Sequence, residues 1–455
     1  MAASAPVESH STVTVTKTVS VYPKALHPPN LLRLSNLDRQ CPLLMYLVFF
    51  YKPSHGFRDL SIDAISSRLR NGLEETLSVW YPAAGRLSLN PSDGKLDLWC
   101  NNGGVILVEG ATHVKMSELG DLSLHHEFSE NLVFKPVFNG NITEMPLVVA
   151  QVTKFGCGGY SIGIGTSHSL FDAPAAYDFL SAWASQSNMR GNEGSEPHVK
   201  PVHERGRLLM GDYQSQKEIN INPGRPAKRV AAIDHLYQLI KKVTPQNHEN
   251  YVLRTFHLSG AVIENLKRKV FVEKRGSFSF SSFEVVSAHL WKTRTKALRI
   301  DHEQMVCLQF AVDIRNKMVP PLPKHFSGNA YVLASVALTA GELEEQSHHA
   351  IVEKIKEAKN SVTDDYVIAY NKALQGPPAT LPPLKELTMV SDWTRVPFHK
   401  VDFLGEEAAY ASPLASPIPQ VAYLMQNPVE NRGVDVRIGL HPDIIDVFSH
   451  YFICF

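Results

Sequence analysis

Apolar residues recur with a helical period in some segments of the chain and follow strand-like patterns in others. Spacings of three and four between apolar positions predict a helix with one buried face over residues 62–80. Short apolar or alternating runs predict strands at 43–51, 96–99, 105–108, 147–153, 161–166 and 306–312. Helical patterns return at 258–270 and 341–362, and a serine-rich strand-to-helix junction covers 281–291. Both halves of the chain therefore combine strands and helices.

The composition changes between about Ser187 and Pro226, where polar, charged, Gly and Pro residues dominate. A segment of this length without periodicity is typical of a linker or a surface crossover. We therefore predict one domain over 1–186, a crossover over 187–226 and a second domain over 227–455.

Composition and charge exclude several classes of protein. The 455 residues carry 45 Lys+Arg and 45 Asp+Glu, so no basic excess indicates nucleic-acid binding. This neutral balance is still compatible with a local site that binds an anion. The longest apolar run, 43–51, is too short to span a bilayer, and the N-terminus lacks the features of a signal peptide. Five scattered cysteines without metal or redox spacing favour reduced thiols in a cytoplasmic protein. We expect no metal site.

The segment His168-Ser169-Leu170-Phe171-Asp172 is the best candidate for chemistry. His168 ends an apolar, glycine-spaced run, and Asp172 precedes a helix-like stretch that Pro174 starts. An imidazole at the mouth of a strand can take a proton from a hydroxyl or amine. The plainer alternatives are a core histidine satisfied by backbone and an aspartate that only caps the helix.

Two other motifs overlap this segment and are weaker. Gly159-Tyr160-Ser161-Ile162-Gly163 matches the nucleophile elbow of serine hydrolases, but that elbow needs a helix directly after the serine. Here Ser161 lies in a predicted strand, so a hydrolase is a less favoured alternative. Gly163-Ile164-Gly165 lacks the third glycine and the lysine of nucleotide loops.

A second charged segment is Asp313-Ile314-Arg315, which follows a predicted strand and precedes a proline-rich turn. A surface ion pair is the plain interpretation, and such pairs contribute little. The sharper hypothesis is that Arg315 clamps a buried carboxylate. Gly328-Asn329 further along is typical of a turn.

In these motifs the chain resembles the BAHD acyltransferases, a plant family of CoA-dependent enzymes. The resemblance covers the whole chain and rests on five elements in order: Tyr81-Pro82-Ala83-Ala84-Gly85-Arg86-Leu87, the His168–Asp172 motif, Ser282-Phe283-Glu284 with His289 and Trp291, Asp313-Ile314-Arg315 with Gly328-Asn329, and Ser391-Asp392-Trp393-Thr394-Arg395. The family's second signature, Asp-Phe-Gly-Trp-Gly, is represented by Asp402-Phe403-Leu404-Gly405-Glu406, where only the first two residues match. Ala173 replaces a usual glycine. These departures suggest a divergent branch.

The resemblance implies an α/β fold of two similar chloramphenicol-acetyltransferase-like domains, each a mixed sheet flanked by helices, with a channel between them. It implies acyl transfer from an acyl-CoA to a hydroxyl or amine of a small, specialised-metabolite acceptor. It also implies that no cofactor is permanently bound. We expect a monomer. The alternative is a catalytically reduced accessory protein of the same fold, for example in lipid or steroid metabolism.

The resemblance also suggests roles for single residues. His168 would be the general base, and Ser391 and Trp393 would donate hydrogen bonds to the developing oxyanion. Asp172 would pair with Arg315, and Asp402 would support the structure. Candidates for contacts with the CoA phosphates are Lys267, Arg268, Lys269, Ser281 and Ser282, although a basic helix end is more simply a solvated one.

Overall fold

The computed structural model describes residues 12–54, 56, 58–137, 141–187, 200–209, 251–272, 280–375, 386–414, 421–430 and 432–453. Its helices are α1 (Ile62–Val79), α2 (Ala173–Ser187), α3 (Gly260–Val272), α4 (Ser282–Ala297), α5 (Ala340–Glu345), α6 (His348–Asn360), α7 (Asp364–Ala373) and α8 (Ile445–Ile453). Its strands are β1 (Thr14–Val21), β2 (Asn30–Leu32), β3 (Leu44–Tyr51), β4 (Arg86–Leu89), β5 (Leu96–Cys100), β6 (Val105–Ala111), β7 (Val148–Lys154), β8 (Tyr160–Ser167), β9 (Val252–Leu258), β10 (Met305–Asp313), β11 (Tyr331–Thr339), β12 (Leu387–Asp392), β13 (Tyr410–Pro413), β14 (Val421–Gln426) and β15 (Val434–Leu440).

Two six-stranded mixed sheets form the centres of the two halves. The first has the order β1-β6-β7-β8-β3-β13, with a parallel β6–β7 pair among antiparallel ones. The second has the order β11-β10-β12-β14-β15-β9, with β10–β12 and β12–β14 parallel. A small sheet, β2-β5-β4, lies beside the first. This is the predicted α/β arrangement of two mixed sheets flanked by helices.

The predicted helix over 62–80 is confirmed as α1. Ile65, Leu69, Leu73 and Leu77 are fully buried on one face, and Ser61 caps the start by accepting a hydrogen bond from Ala64 N at 3.1 Å. Together with α2, this helix packs in the core of the first sheet. In the second half, α4 is buried on nearly all sides, at the centre of the larger core.

The predicted helices at 258–270 and 341–362 differ from those observed. Residue 258 ends strand β9, and the helix α3 begins only at Gly260, because Ser259 caps it through Val262 N. The second segment is divided into α5 and α6. Ser347 accepts a hydrogen bond from Ala350 N and so starts a new helix directly after the first one ends.

One strand from the second half of the chain joins the first sheet. β13 lies between β12 and β14 in sequence but pairs with β3 at the edge of the first sheet. Arg437 of β15 reaches across and donates to the carbonyl oxygens of Pro413 and Ser123 at 2.6 and 2.7 Å. The predicted crossover over 187–226 falls largely on 188–199 and 210–226, which lie outside the described residues, so the domain limits stay predictions.

Candidate active site

His168 is the first residue after β8, a strand whose residues are all buried. Its backbone N–H donates to Leu43 O at 2.8 Å, so the turn after the strand is tied to the start of β3. A side chain at Gly165 would come within 2.6 Å of the Tyr46 ring. At Gly163 a side chain would come within 2.0 Å of the Leu132 carbonyl oxygen. The glycines of β8 thus reflect close packing on both sides of the strand, which fixes the backbone that carries the histidine.

Asp172 is held by four hydrogen bonds from three parts of the chain. Ala175 N, in the first turn of α2, donates to Oδ1 at 3.1 Å, and Ala330 N donates to Oδ2 at 2.9 Å. The Arg315 guanidinium donates to both carboxylate oxygens at 2.8 and 2.9 Å. Asp172 therefore caps α2 and joins the two halves of the protein, and its oxygens are committed to protein donors.

Asn329 fixes the orientation of the imidazole, a role that the sequence did not reveal. Its Oδ1 lies 3.1 Å from Nδ1 of His168. Its Nδ2 donates to the His168 carbonyl oxygen at 2.8 Å and to Asp38 Oδ1 at 3.1 Å. Because both amide hydrogens are used there, the amide oxygen faces the ring. Nδ1 of His168 therefore carries the proton, and Nε2 carries the free lone pair.

Asp38 and Arg205 support this amide from behind. Both side chains are fully buried, and Arg205 Nε donates to Asp38 Oδ2 at 2.8 Å. Asp38 Oδ1 accepts from both the backbone and the side-chain nitrogen of Asn329. The signal in the sequence was the Gly328-Asn329 pair, which we interpreted only as a turn.

Burial lowers the pKa of His168, although the nearby Asp172, Asn329 and Asp38 act in the opposite direction. Desolvation penalises the imidazolium more than these groups favour it. The ring is therefore neutral near pH 7, which is the state that a base requires.

His168 opens into a chamber of about 430 Å³ between the two halves. One wall comes from β3, β8 and α2, and the other comes from β10, β11, β12, β14 and the start of α4. Most side chains that line it are apolar, among them Leu47, Phe171, Leu333, Met389 and Val421. A chamber of this kind suits an apolar ligand with few polar anchors.

Ser391 and Trp393 lie in the chamber wall at the end of β12, but they do not act alike. The indole Nε1 of Trp393 donates to Ser391 Oγ at 3.0 Å. The expectation that the indole itself donates to an oxyanion is therefore not met in this geometry. The Ser391 hydroxyl hydrogen stays available, and the indole bond orients and polarises it.

The candidates for CoA contacts are separated by the structure. Ser281 lines the chamber and caps α4 in a capping box with Glu284. Among the described residues, Lys267, Arg268, Lys269 and Ser282 are not part of the chamber wall, and Lys267 pairs with Glu264 at 2.9 Å. Lys317 and Lys359 line the chamber near Ser281 instead.

The segment that begins at Asp402 is packed into the core of the first half rather than against the chamber. The Phe403 ring makes edge contacts with Trp183 and Phe49 at centroid distances of 4.8 and 5.8 Å. Just before it, the Val401 carbonyl oxygen accepts a hydrogen bond from Tyr51 at 2.7 Å. The arrangement fits a structural role for this segment.

The weaker motifs of the sequence carry no site. Ser161 lies within β8 and is fully buried, so it does not occupy a nucleophile elbow. Within the described ranges, no group of three or more His, Cys, Asp or Glu side chains could hold a metal ion. No helix in the part of the chain that the structure covers has the length and apolar character needed to cross a membrane.

Comparison with known proteins agrees with this geometry. The model of the Transferase family matches residues 11–453. Brassinosteroid-related acyltransferase 1 of Arabidopsis thaliana is 50% identical and covers 98% of this chain and 99% of its own. Rosmarinate synthase of Plectranthus scutellarioides is 30% identical over 97% and 99% of the two chains.

Solved structures share the fold. Vinorine synthase superposes with a TM-score of 0.73 at 20% identity and covers 96% of both chains. TRI101 of F. graminearum, in complex with ethyl coenzyme A, gives a TM-score of 0.72 at 14% identity over 92% and 96% of the two chains. Since the family model spans nearly the whole chain and one relative shares half of its residues, the chain belongs to the BAHD acyltransferases of the Transferase family.

Proposed function

We propose that this acyltransferase moves an acyl group from an acyl-CoA thioester to a hydroxyl group of an apolar acceptor, with His168 as general base. The observation that carries the proposal is the hydrogen bond between Nδ1 of His168 and Asn329 Oδ1 at 3.1 Å. It leaves the Nε2 lone pair free at a chamber that the coenzyme and the acceptor would share.

The reaction follows from this tautomer. Nε2 takes the proton of the acceptor hydroxyl while the oxygen attacks the thioester carbonyl carbon. The carbonyl oxygen gains the negative charge and accepts a hydrogen bond from Ser391. When the tetrahedral intermediate collapses, the C–S bond breaks and the thiolate takes the proton back from Nε2. The imidazolium that exists between these steps is stabilised by the Asn329 oxygen and by the field of Asp172 and Asp38.

The chamber supports an alcohol rather than an amine as acceptor. An alkylamine is charged near pH 7, and a charge is costly to bury unless it is paired. Of the carboxylates in the chamber wall, Asp172 is already paired with Arg315, and Asp392 accepts two hydrogen bonds from Thr394. A neutral hydroxyl on an apolar body avoids this cost.

A steroid-like alcohol is our first choice of acceptor. The relative that shares 50% of its residues with this chain is named as brassinosteroid-related, and a rigid apolar ring system would bury most of its surface against the chamber wall. The coenzyme phosphates would lie toward Lys317, Lys359 and the start of α4, where positive charge and the helix N-terminus favour an anion. The basic run 267–269 remains a second candidate.

The test is a direct assay of the purified protein. Acetyl-, malonyl-, long-chain and hydroxycinnamoyl-CoA would be incubated with steroid alcohols, fatty alcohols and amines, and both free CoA thiol and the ester product would be measured. We expect ester formation, a loss of about 10²–10⁴-fold in His168→Ala and no loss in His450→Ala, which changes an exposed histidine.

Two results would contradict the proposal. Retention of more than half the activity in His168→Ala would remove the general base. Absence of CoA release with every donor and acceptor would favour the accessory-protein alternative. Ser391→Ala adds a finer check, because the loss of one oxyanion donor costs about 10²–10³ in kcat. A fluorophosphonate should not label Ser161.

A further inference from the structure

Tyr331 lies beside the histidine but has no part in the mechanism described so far. It is the first residue of β11 and follows Asn329 and Ala330, which bond to His168 and Asp172. Its ring is inclined at 54° to the His168 imidazole, with 5.7 Å between the centroids. The phenol is therefore held by the same backbone that fixes the base.

The hydroxyl of Tyr331 differs from those of neighbouring tyrosines. Tyr366 and Tyr370 on α7 donate to Leu333 O and Gln40 Oε1 at 2.7 and 2.6 Å. Within the described residues, the Tyr331 hydroxyl makes no hydrogen bond, and its side chain lines the chamber. Burial raises its pKa well above 10, so the phenol stays protonated and can donate at any working pH.

The position of Tyr331 in the second sheet indicates which part of a substrate it would meet. Tyr331 pairs with Asp313 of β10, and β10 separates β11 from β12, which carries Ser391. Two strand spacings amount to about 10 Å. If the Ser391 hydroxyl binds the thioester oxygen, Tyr331 is too far away to bind the same atom, and we expect it to face the body of the acceptor, which flanks the attacking hydroxyl.

Most other polar groups in this wall already have partners. Lys359 pairs with Glu284, and Lys317 donates to the carbonyl oxygen of Lys359 at 3.0 Å. The Asp172 carboxylate is committed as described above. An acceptor oxygen buried next to His168 would lose its water, and the Tyr331 hydroxyl offers a replacement hydrogen bond.

We propose that Tyr331 is a specificity-determining residue whose hydroxyl binds a second oxygen atom of the acceptor, close to the hydroxyl that is acylated. The site then prefers an acceptor with two neighbouring oxygen functions, such as a diol or a hydroxyketone, over the corresponding mono-alcohol. This inference rests on the proposed transfer to an apolar alcohol.

The experiment compares Tyr331→Phe with the unchanged protein on two probes, a 2,3-dihydroxy steroid and the corresponding 3-hydroxy steroid. Phenylalanine keeps the ring that packs on His168 and removes only the hydroxyl. Tyr366→Phe is the matched control, since it also removes one tyrosine hydroxyl near β11 but one that bonds to Leu333 O. The measured quantities are kcat/KM with a fixed acyl-CoA and equilibrium binding of each steroid without acyl-CoA.

We expect Tyr331→Phe to lower the preference for the diol, in kcat/KM and in binding, by about 3–10-fold, which is the usual effect of one hydrogen bond. Tyr366→Phe should leave the preference unchanged. An unchanged preference in Tyr331→Phe, or an equal fall for both steroids, would overturn the inference. If neither steroid forms an ester, the proposed function fails for this class, and the binding preference still decides the role of Tyr331.

Discussion

The ion pair between Asp172 and Arg315 allows the sharpest test of the site's framework. Each alanine variant removes one partner of a pair whose side chains are only 5% and 17% exposed. Loss of one partner of a buried pair costs about 3–5 kcal/mol, because the other charge is left uncompensated.

The remaining contacts place both losses near the lower end of that range. In Asp172→Ala, Arg315 keeps Asp313 at 3.3 Å and the Gly328 carbonyl oxygen at 3.1 Å. In Arg315→Ala, Asp172 keeps the backbone donors Ala175 and Ala330. We therefore expect about 3 kcal/mol for each variant. The double variant removes both buried charges, and only the half-exposed Asp313 loses its partner, so it should lose about 4 kcal/mol rather than about 6, a coupling of about 2 kcal/mol.

The measurement is the free energy of unfolding by urea for the parent, both single variants and the double variant. Arg86→Ala is the control, because its guanidinium donates to the carbonyl oxygens of Gly85, Gly103 and Gly104 and has no contact with Asp172. Its loss should add to that of Asp172→Ala. Additive losses for Asp172→Ala and Arg315→Ala would refute the reasoning, since they would mean that the two side chains do not stabilise each other.

Three further predictions concern pH and salt. Burial lowers the pKa of His168, so kcat/KM should fall on the acid side only below pH 6.5, the ordinary histidine value. A pH–rate profile in which kcat/KM already falls with acidification above pH 6.5 would contradict a neutral His168 base. The KM for acyl-CoA should rise with ionic strength, while the KM for a neutral acceptor barely changes. The double variant Lys267→Gln/Lys269→Gln should weaken this salt dependence. If the variant and the parent depend equally on salt, the phosphates bind elsewhere, and the lysines in the chamber wall become the candidates. Burial opposes protonation of His257, but hydrogen bonds to two carboxylates raise its pKa, so its stabilising effect is complete below pH 6.5 and is lost as the pH rises through the raised value. The free energy of unfolding by urea should therefore decrease less over that pH range in His257→Gln than in the parent.

Local patterns in the sequence were sufficient to predict those helices and strands that are determined by residues close together in the chain. α1 follows from its apolar period, and β3 and β8 follow from short apolar runs, because the burial of each element matches an apolar pattern in its own sequence. The break between α5 and α6 was missed because Ser347 acts as a cap inside an otherwise helical pattern. The place of β13 in the first sheet has no local signal, since its pairing with β3 is a contact between distant segments.

The residues of the candidate site also divide into those that local sequence predicted and those that only the fold brings together. The arrangement of His168, Asp172 and the start of α2 could be predicted because all three lie within a few consecutive residues. Asn329 lies 161 residues from His168 and 291 residues from Asp38, so no spacing in the sequence shows that they meet. An asparagine after glycine is common in turns, and only the folded chain distinguishes a turn residue from one that orients a base.

In the proposed mechanism, the direction of the Asn329 amide is what allows His168 to act as the base. A reversed amide would present Nδ2 to the imidazole, so Nδ1 would accept a hydrogen bond and the proton would move to Nε2, which could no longer take one from an acceptor. The reversed amide would also face Asp38 and the His168 carbonyl with an oxygen, and both of those groups are acceptors. Arg205 keeps Asp38 in place beside that amide. In the proposed mechanism, this buried pair therefore helps to decide which imidazole nitrogen carries the proton.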